Sequence, residues 1–109
     1  MVGLLTAGAC NTATTDSSGR PNIVATTQPV GALARAVGGE HIQLTTILGP
    51  GVDPHDYEAS PADIKRLHSS KVVLTNGLGL DAPLDKAIEG SGAAKVVVVT
   101  NGVTLRKGE

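Results

Sequence analysis

From Pro21 onward, short β-branched runs alternate with amphipathic stretches along the chain. NIVATT, residues 22–27, predicts a strand, because β-branched side chains fit a pleated, half-buried surface. Gln28 and Pro29 open a helix, with proline in the first turn where its missing N–H costs little. Val30, Leu33, Ala34 and Val37 follow at i, i+3, i+4 and i+7, which predicts a single inward face ended by Gly38-Gly39. HIQLTTIL, residues 41–48, is the second predicted strand. Ser60, Pro61 and Asp63 then form a helix-start signature: a capping hydroxyl, a first-turn proline and an acid three residues on. Ile64 and Leu67 are the predicted buried edge of that helix. KVVLT, residues 71–75, and AKVVVVT, residues 94–100, are the third and fourth strands. Between them a short helix over 81–89 points Leu84, Ala87 and Ile88 inward.

Strands joined through helices run parallel, with right-handed crossovers. The predicted fold class is therefore α/β: a three-layer open parallel sheet of about four strands, with helices on both faces. The Val-rich third and fourth runs read as strands covered on both sides. Residues 101–109 leave no room for a further helix, and no internal repeat is visible. In open α/β sheets, ligands gather at the carboxyl ends of the strands. Three segments are expected there: Thr26-Thr27-Gln28, the loop over 49–59, and residues 76–80.

Composition narrows the function classes. Nine basic and ten acidic residues give a net charge of -1, against the basic excess that phosphate binding needs. With no Phe or Trp and a single Tyr, the core must be aliphatic. No run of about 18 apolar residues encodes a transmembrane helix. The one cysteine, Cys10, excludes an internal disulfide and a cysteine-cluster metal site. Cys10 ends MVGLLTAGAC, where small residues before the thiol fit the tail of a bacterial lipoprotein signal. An ordinary thiol near a chain end is the plain alternative. The polar NTATTDSSGR that follows cannot bury a core and favours the lipoprotein reading. The expected organisation is a signal remnant over 1–10, a flexible tether over 11–20, and an α/β lobe over 21–109.

The chemistry concentrates in GPGVDPHDYEASPAD, residues 49–63. Pro54 fixes its own φ and pushes Asp53 to an extended backbone, so the approach to His55 is stiff. A stiff loop lowers the entropic cost of holding an imidazole for a metal, and zinc takes histidine nitrogen at about 2.0–2.1 Å. Manganese accepts it beside oxygen ligands. Asp53, Asp56 or Glu58 could orient the ring through its other N–H. A solvated loop histidine is the competing reading, and one imidazole alone cannot fill a four-ligand site. His41, at the start of a strand, and His68, at the end of a helix, belong to the opposite edge and read as surface residues.

GLGLDA, residues 77–82, matches the dinucleotide pattern G-x-G-x-x-A through Gly77 and Gly79. Its position after the third strand, Pro83, and the charge of Asp81 at a helix start favour a tight turn without cofactor. No catalytic residue emerges: Ser69-Ser70 lacks a paired base, and no nucleophile elbow is present.

Taken together, PNIVATTQPVGALARAVGGE, VDPHDYEASPADI and KVVLTNGLGLD resemble the zinc/manganese-specific solute-binding proteins of bacterial ABC importers. Asp53-Pro54-His55-Asp56-Tyr57-Glu58-Ala59-Ser60-Pro61-Ala62-Asp63 matches the family's D-P-H-x-Y-E-x-x-P-x-D stretch, and Asn76-Gly77-Leu78-Gly79-Leu80 its N-G-x-G-L turn. The likeness spans residues 21 to about 105. It implies two α/β lobes joined by a long helix with a metal clamped between them. His55 would be the first ligand, and the remaining ligands would lie past Glu109. This chain would then be an N-terminal lobe, apparently incomplete, without its second lobe. The resemblance further implies a non-enzymatic protein outside the cytoplasmic membrane, lipid-anchored through Cys10 or periplasmic. Such a protein captures zinc or manganese and hands it to an importer permease. A dinucleotide-binding module using Gly77 and Gly79 and a surface-anchored interaction or adhesin domain remain as alternatives.

Overall fold

The structure, a computed structural model, describes residues 14–93 and 95–108. Four strands are present: β1 (Asn22–Ala25), β2 (Gln43–Thr46), β3 (Val72–Thr75) and β4 (Val96–Val98). Three helices connect them: α1 (Gln28–Gly38), α2 (Pro61–His68) and α3 (Ala82–Ser91). The strands form one parallel sheet in the order β2-β1-β3-β4. Ile23 aligns with Leu44 and Val72, and Leu74 with Val97. The predicted α/β class and strand sequence are thus what the chain forms.

The crossover rule explains the layers. Going from β1 to β2 moves one way across the sheet, whereas β2 to β3 and β3 to β4 move the other way. Right-handed connections therefore set α1 on one face and α2 with α3 on the opposite face. The main core lies on the α2/α3 side. Val24 and Val73 point from the sheet into a cluster with Ile47, Leu48, Leu67, Leu84 and Ile88. Leu67 and Leu84 are wholly buried.

The α1 face is only partly covered, and here the structure departs from the sequence pattern. Val30 and Ala34 are buried against the sheet, but Leu33 and Val37 are 62% and 90% exposed. They border a shallow apolar groove with Ile23, Ile42, Val72 and Leu74. Gly31 lets α1 approach β2 closely, since a Cβ there would come within 2.5 Å of the Thr46 hydroxyl. Held close to β2 in this way, α1 leaves Val72 and Leu74 of β3 and Val97 of β4 only partly buried. β4 is correspondingly short, lies at the sheet edge and exposes Val96, so it is not the doubly covered strand its valines predict. In α2, Ile64 is also exposed, and the inward positions are Asp63 and Leu67.

Within the stretch expected to be a tether, residues 14–20 fold back along the start of β1. Asp16 accepts from Ser18 and Arg20, the Arg20 guanidinium reaches Gln43 at 3.0 Å, and Thr15 bridges to Pro21. Among the described residues, no helix is long and apolar enough to cross a membrane.

Candidate metal centre

Parallel strands release their chains at the same edge, so the ends of β1, β2 and β3 converge as the sequence leads one to expect. The ladder runs past β2, with Ile47 and Leu48 N–H groups donating to the carbonyls of Ala25 and Thr26 at 3.0 and 2.9 Å. The loop carrying His55 therefore leaves from an immobilised point. Pro54–Asp56 form a single 3₁₀ turn. Asp53 caps it, its carboxylate accepting the His55 backbone N–H at 2.9 Å. That is a correction to the sequence reading: Asp53 holds the backbone under His55 and does not hydrogen-bond the imidazole. Nor does Asp56 or Glu58; both are exposed. His55 is itself exposed, and its ring nitrogens have no hydrogen-bond partner among the described residues.

Downstream the loop is tied to α2 by a network that residue patterning did not reveal. Asp63, at the third position of the helix, is 4% exposed. It accepts from Tyr57 Oη–H, from the Ser60 backbone N–H at 3.0 Å, from Ser60 Oγ at 2.8 Å and from Arg66 at 3.1 Å. Ser60 Oγ returns the favour to the Asp63 N–H at 3.2 Å, completing the predicted capping box. Burial alone would raise the Asp63 pKa, but the hydrogen bonds from Tyr57 and Ser60 and the Arg66 charge outweigh it and hold the carboxyl below its ordinary value. The same bond works the other way on Tyr57. Burial first, then the hydrogen bond to Asp63 and its negative charge, push the phenol up to about 12. The Tyr57 ring packs against the main core. The only sequence signal for this clamp was the Tyr57 and Asp63 positions within the family-like stretch.

At the ends of β1 and β3, Asp81 is 2% exposed. Its carboxylate accepts from Thr26 Oγ–H at 2.6 Å and from the N–H groups of Asn76 and Gly77 at 2.6 and 3.1 Å. Gly77, Leu78 and Gly79 all take left-handed backbone, with φ of 78°, 58° and 79°. The glycines thus serve the turn, and the amides that would cradle a pyrophosphate already bind a carboxylate. A dinucleotide site here is disfavoured, because the Asn76 and Gly77 amides already serve Asp81 and its negative charge would face a pyrophosphate. Thr27, the residue before α1, is buried with its hydroxyl unpartnered among the described residues.

His41 and His68 lie away from this edge, both exposed. His68 Nδ1 lies 2.6 Å from the Ser91 carbonyl, linking the ends of α2 and α3. Among the described residues, no three His, Cys, Asp or Glu side chains converge on a metal-sized site. Cys10 lies outside the described residues.

Fold and site together are those of an α/β lobe that presents an exposed histidine, His55, at the carboxyl edge of its parallel sheet. Residues 23–109 match the family model described as ZnuA, zinc-uptake complex component A periplasmic, and the chain belongs to that family. It is 40% identical to manganese-binding lipoprotein MntA of Bacillus subtilis (strain 168), over 74% of this chain and 28% of the relative. It is 33% identical to the iron ABC transporter substrate-binding lipoprotein MtsA of Streptococcus pyogenes serotype M1, over 62% of this chain and 22% of the relative. Among solved structures it resembles the periplasmic zinc-binding protein TroA from Treponema pallidum, with a TM-score of 0.73 and 28% identity, over 80% of this chain and 32% of that one. The chain therefore spans less than a third of the length of each of these proteins.

Proposed function

We propose that this chain is the N-terminal metal-receiving lobe of an extracytoplasmic solute-binding protein that captures zinc or manganese for an ABC importer permease. His55 donates an imidazole nitrogen to the cargo ion, and the other ligands come from outside the described residues. The observation that carries this reading is the exposed His55 ring, without a hydrogen-bond partner among the described residues, on a turn braced at both ends at the edge where such sheets bind ligands. Family membership and relatives named for manganese, iron and zinc support a divalent transition metal as cargo. Relatives named as lipoproteins support an anchored protein with Cys10 as the lipidated residue. Capture and release, rather than turnover, is the task such a site performs. A metal-free interaction or adhesin role has no comparable feature to support it.

Coordination uses the unprotonated imidazole nitrogen, so protons compete with the metal and binding weakens in acid. One histidine without partners gives a weak site. Calorimetric titration of the 109-residue chain with Zn²⁺ and with Mn²⁺ is expected to show weak binding that His55→Ala abolishes. Tight stoichiometric binding that survives the substitution would overturn the role of His55.

A further inference from the structure

The bond between Tyr57 and Asp63 has no evident task in the core: the Tyr57 ring already packs there, and Asp63 keeps three other donor groups without it. What the bond does is geometric. His55 lies between two fixed points. Before it, Asp53 accepts the His55 N–H and Ile47 and Leu48 continue the ladder onto β1. After it, Tyr57 is two residues away, and its hydroxyl ends on a carboxylate locked to the first turn of α2. Ring packing against the core is apolar and non-directional. The hydroxyl bond adds direction, and as a bond to a charged acceptor it is roughly twice as strong as a neutral one. Asp56 adds only a backbone bond within the turn, its N–H donating to the Asp53 carbonyl at 3.3 Å, and neither its side chain nor that of Glu58 makes a hydrogen bond among the described residues.

We infer that Tyr57 is a positioning residue: by donating to Asp63 it holds the 53–58 loop, and with it His55, in the pose that receives the metal. This rests on the proposed ligand role of His55. A ligand held in its competent pose only part of the time binds with an affinity reduced by that fraction. Loss of an outer-shell hydrogen bond at a metal site characteristically weakens it about tenfold or more.

The test compares four versions of the 109-residue chain, wild type, Tyr57→Phe, Ile88→Val and His55→Ala, by NMR. Tyr57→Phe keeps the buried ring and removes only the hydroxyl. Ile88→Val trims a buried core side chain of α3 and leaves Tyr57, Ser60 and Asp63 in place, so it reports what a merely structural loss does. Backbone order parameters over 53–58 are measured without metal, and Mn²⁺ is titrated by the broadening of the His55 ring signals. In Tyr57→Phe, the order parameters are expected to fall from about 0.85 toward 0.6. The Mn²⁺ midpoint is expected to rise about tenfold. Ile88→Val is expected to melt earlier with an unchanged midpoint. An undisturbed loop in Tyr57→Phe, a looser loop with the wild-type midpoint, or an equal weakening in Ile88→Val would each overturn the positioning role. In His55→Ala, calorimetry tests the other reading by itself. Metal binding that persists there removes the ligand role of His55, whereas the loop order in Tyr57→Phe still judges the clamp.

Discussion

Tyr57 is the sole tyrosine, so its phenol can be watched alone. Its folded-state pKa of about 12 stands above the ordinary value of 10.0. Raising the pKa of an acid means the fold favours its neutral form. That contribution is fully present below about pH 10 and disappears as pH rises toward 12. The near-ultraviolet absorbance of tyrosinate should therefore titrate near 12 in the native chain and move back toward 10 in Asp63→Asn, where the negative charge is gone. A native midpoint at the ordinary value would show that the bond does not persist in solution. Asp63 works at the other end of the scale. Its carboxyl is held below the usual 3.8, so its share of stability is present above that value and is lost as pH falls through its own lower pKa. Nothing in the residue pattern distinguished these two from an ordinary loop tyrosine and a helix cap, because the bond joins positions whose approach depends on how the loop enters α2.

Helices and turns are where local chemistry speaks most clearly. Ser60 caps α2 as its sequence context dictates, and Ser60→Ala should destabilise the fold by about 1 kcal/mol in urea unfolding. The turn after β3 needs Gly77 for two reasons: its φ of 78° is strained for any L residue, and a Cβ would meet the Val98 side chain at 2.6 Å. Gly77→Ala should therefore cost about 1–3 kcal/mol, and unfolding midpoints within error of wild type would argue against both. The glycine pattern was legible in the sequence, but its purpose was not. The Asp81 carboxylate, fed by Thr26 from a different strand, decides that the turn is a structural staple. No one-dimensional motif contains that contact.

At the level of the whole molecule, the two faces of the sheet differ in what they tolerate. Leu67 and Leu84 are sealed between the sheet and the paired helices. Leu67→Ala or Leu84→Ala should cost about 2–5 kcal/mol by deleting packed methyl groups and leaving a cavity. Leu33, 62% exposed on the α1 face, is apolar in the same periodic pattern, yet Leu33→Ala should change stability by no more than about 0.5 kcal/mol. Parallel denaturant curves for the three variants check the contrast, and a large loss at Leu33 would mean the α1 face is covered in solution. The same asymmetry places the loop carrying His55 against the firmer half of the molecule, above α2 and the main core.

The sequence by itself determined what depends on near neighbours along the chain. It set the order of the four strands and three α-helices, the capping box on α2, the tight turn after β3 and the stiff loop bearing His55, but not the 3₁₀ turn over Gly39–His41, where His41 sits instead of opening β2. It also determined that His55 would emerge at the carboxyl edge, since parallel strands joined by helices have no other arrangement available. Only the tertiary structure decided which apolar positions are inside. Leu33, Val37, Ile64 and Val96 satisfy the patterns of buried residues and remain exposed, because periodicity describes one element while burial depends on what packs against it. It likewise decided that Asp53 supports backbone rather than imidazole, that Asp81 fills its own amide nest, and that Tyr57 reaches Asp63. Each of these bonds is fixed by direction and distance in three dimensions, which the spacing of residues along a chain does not encode.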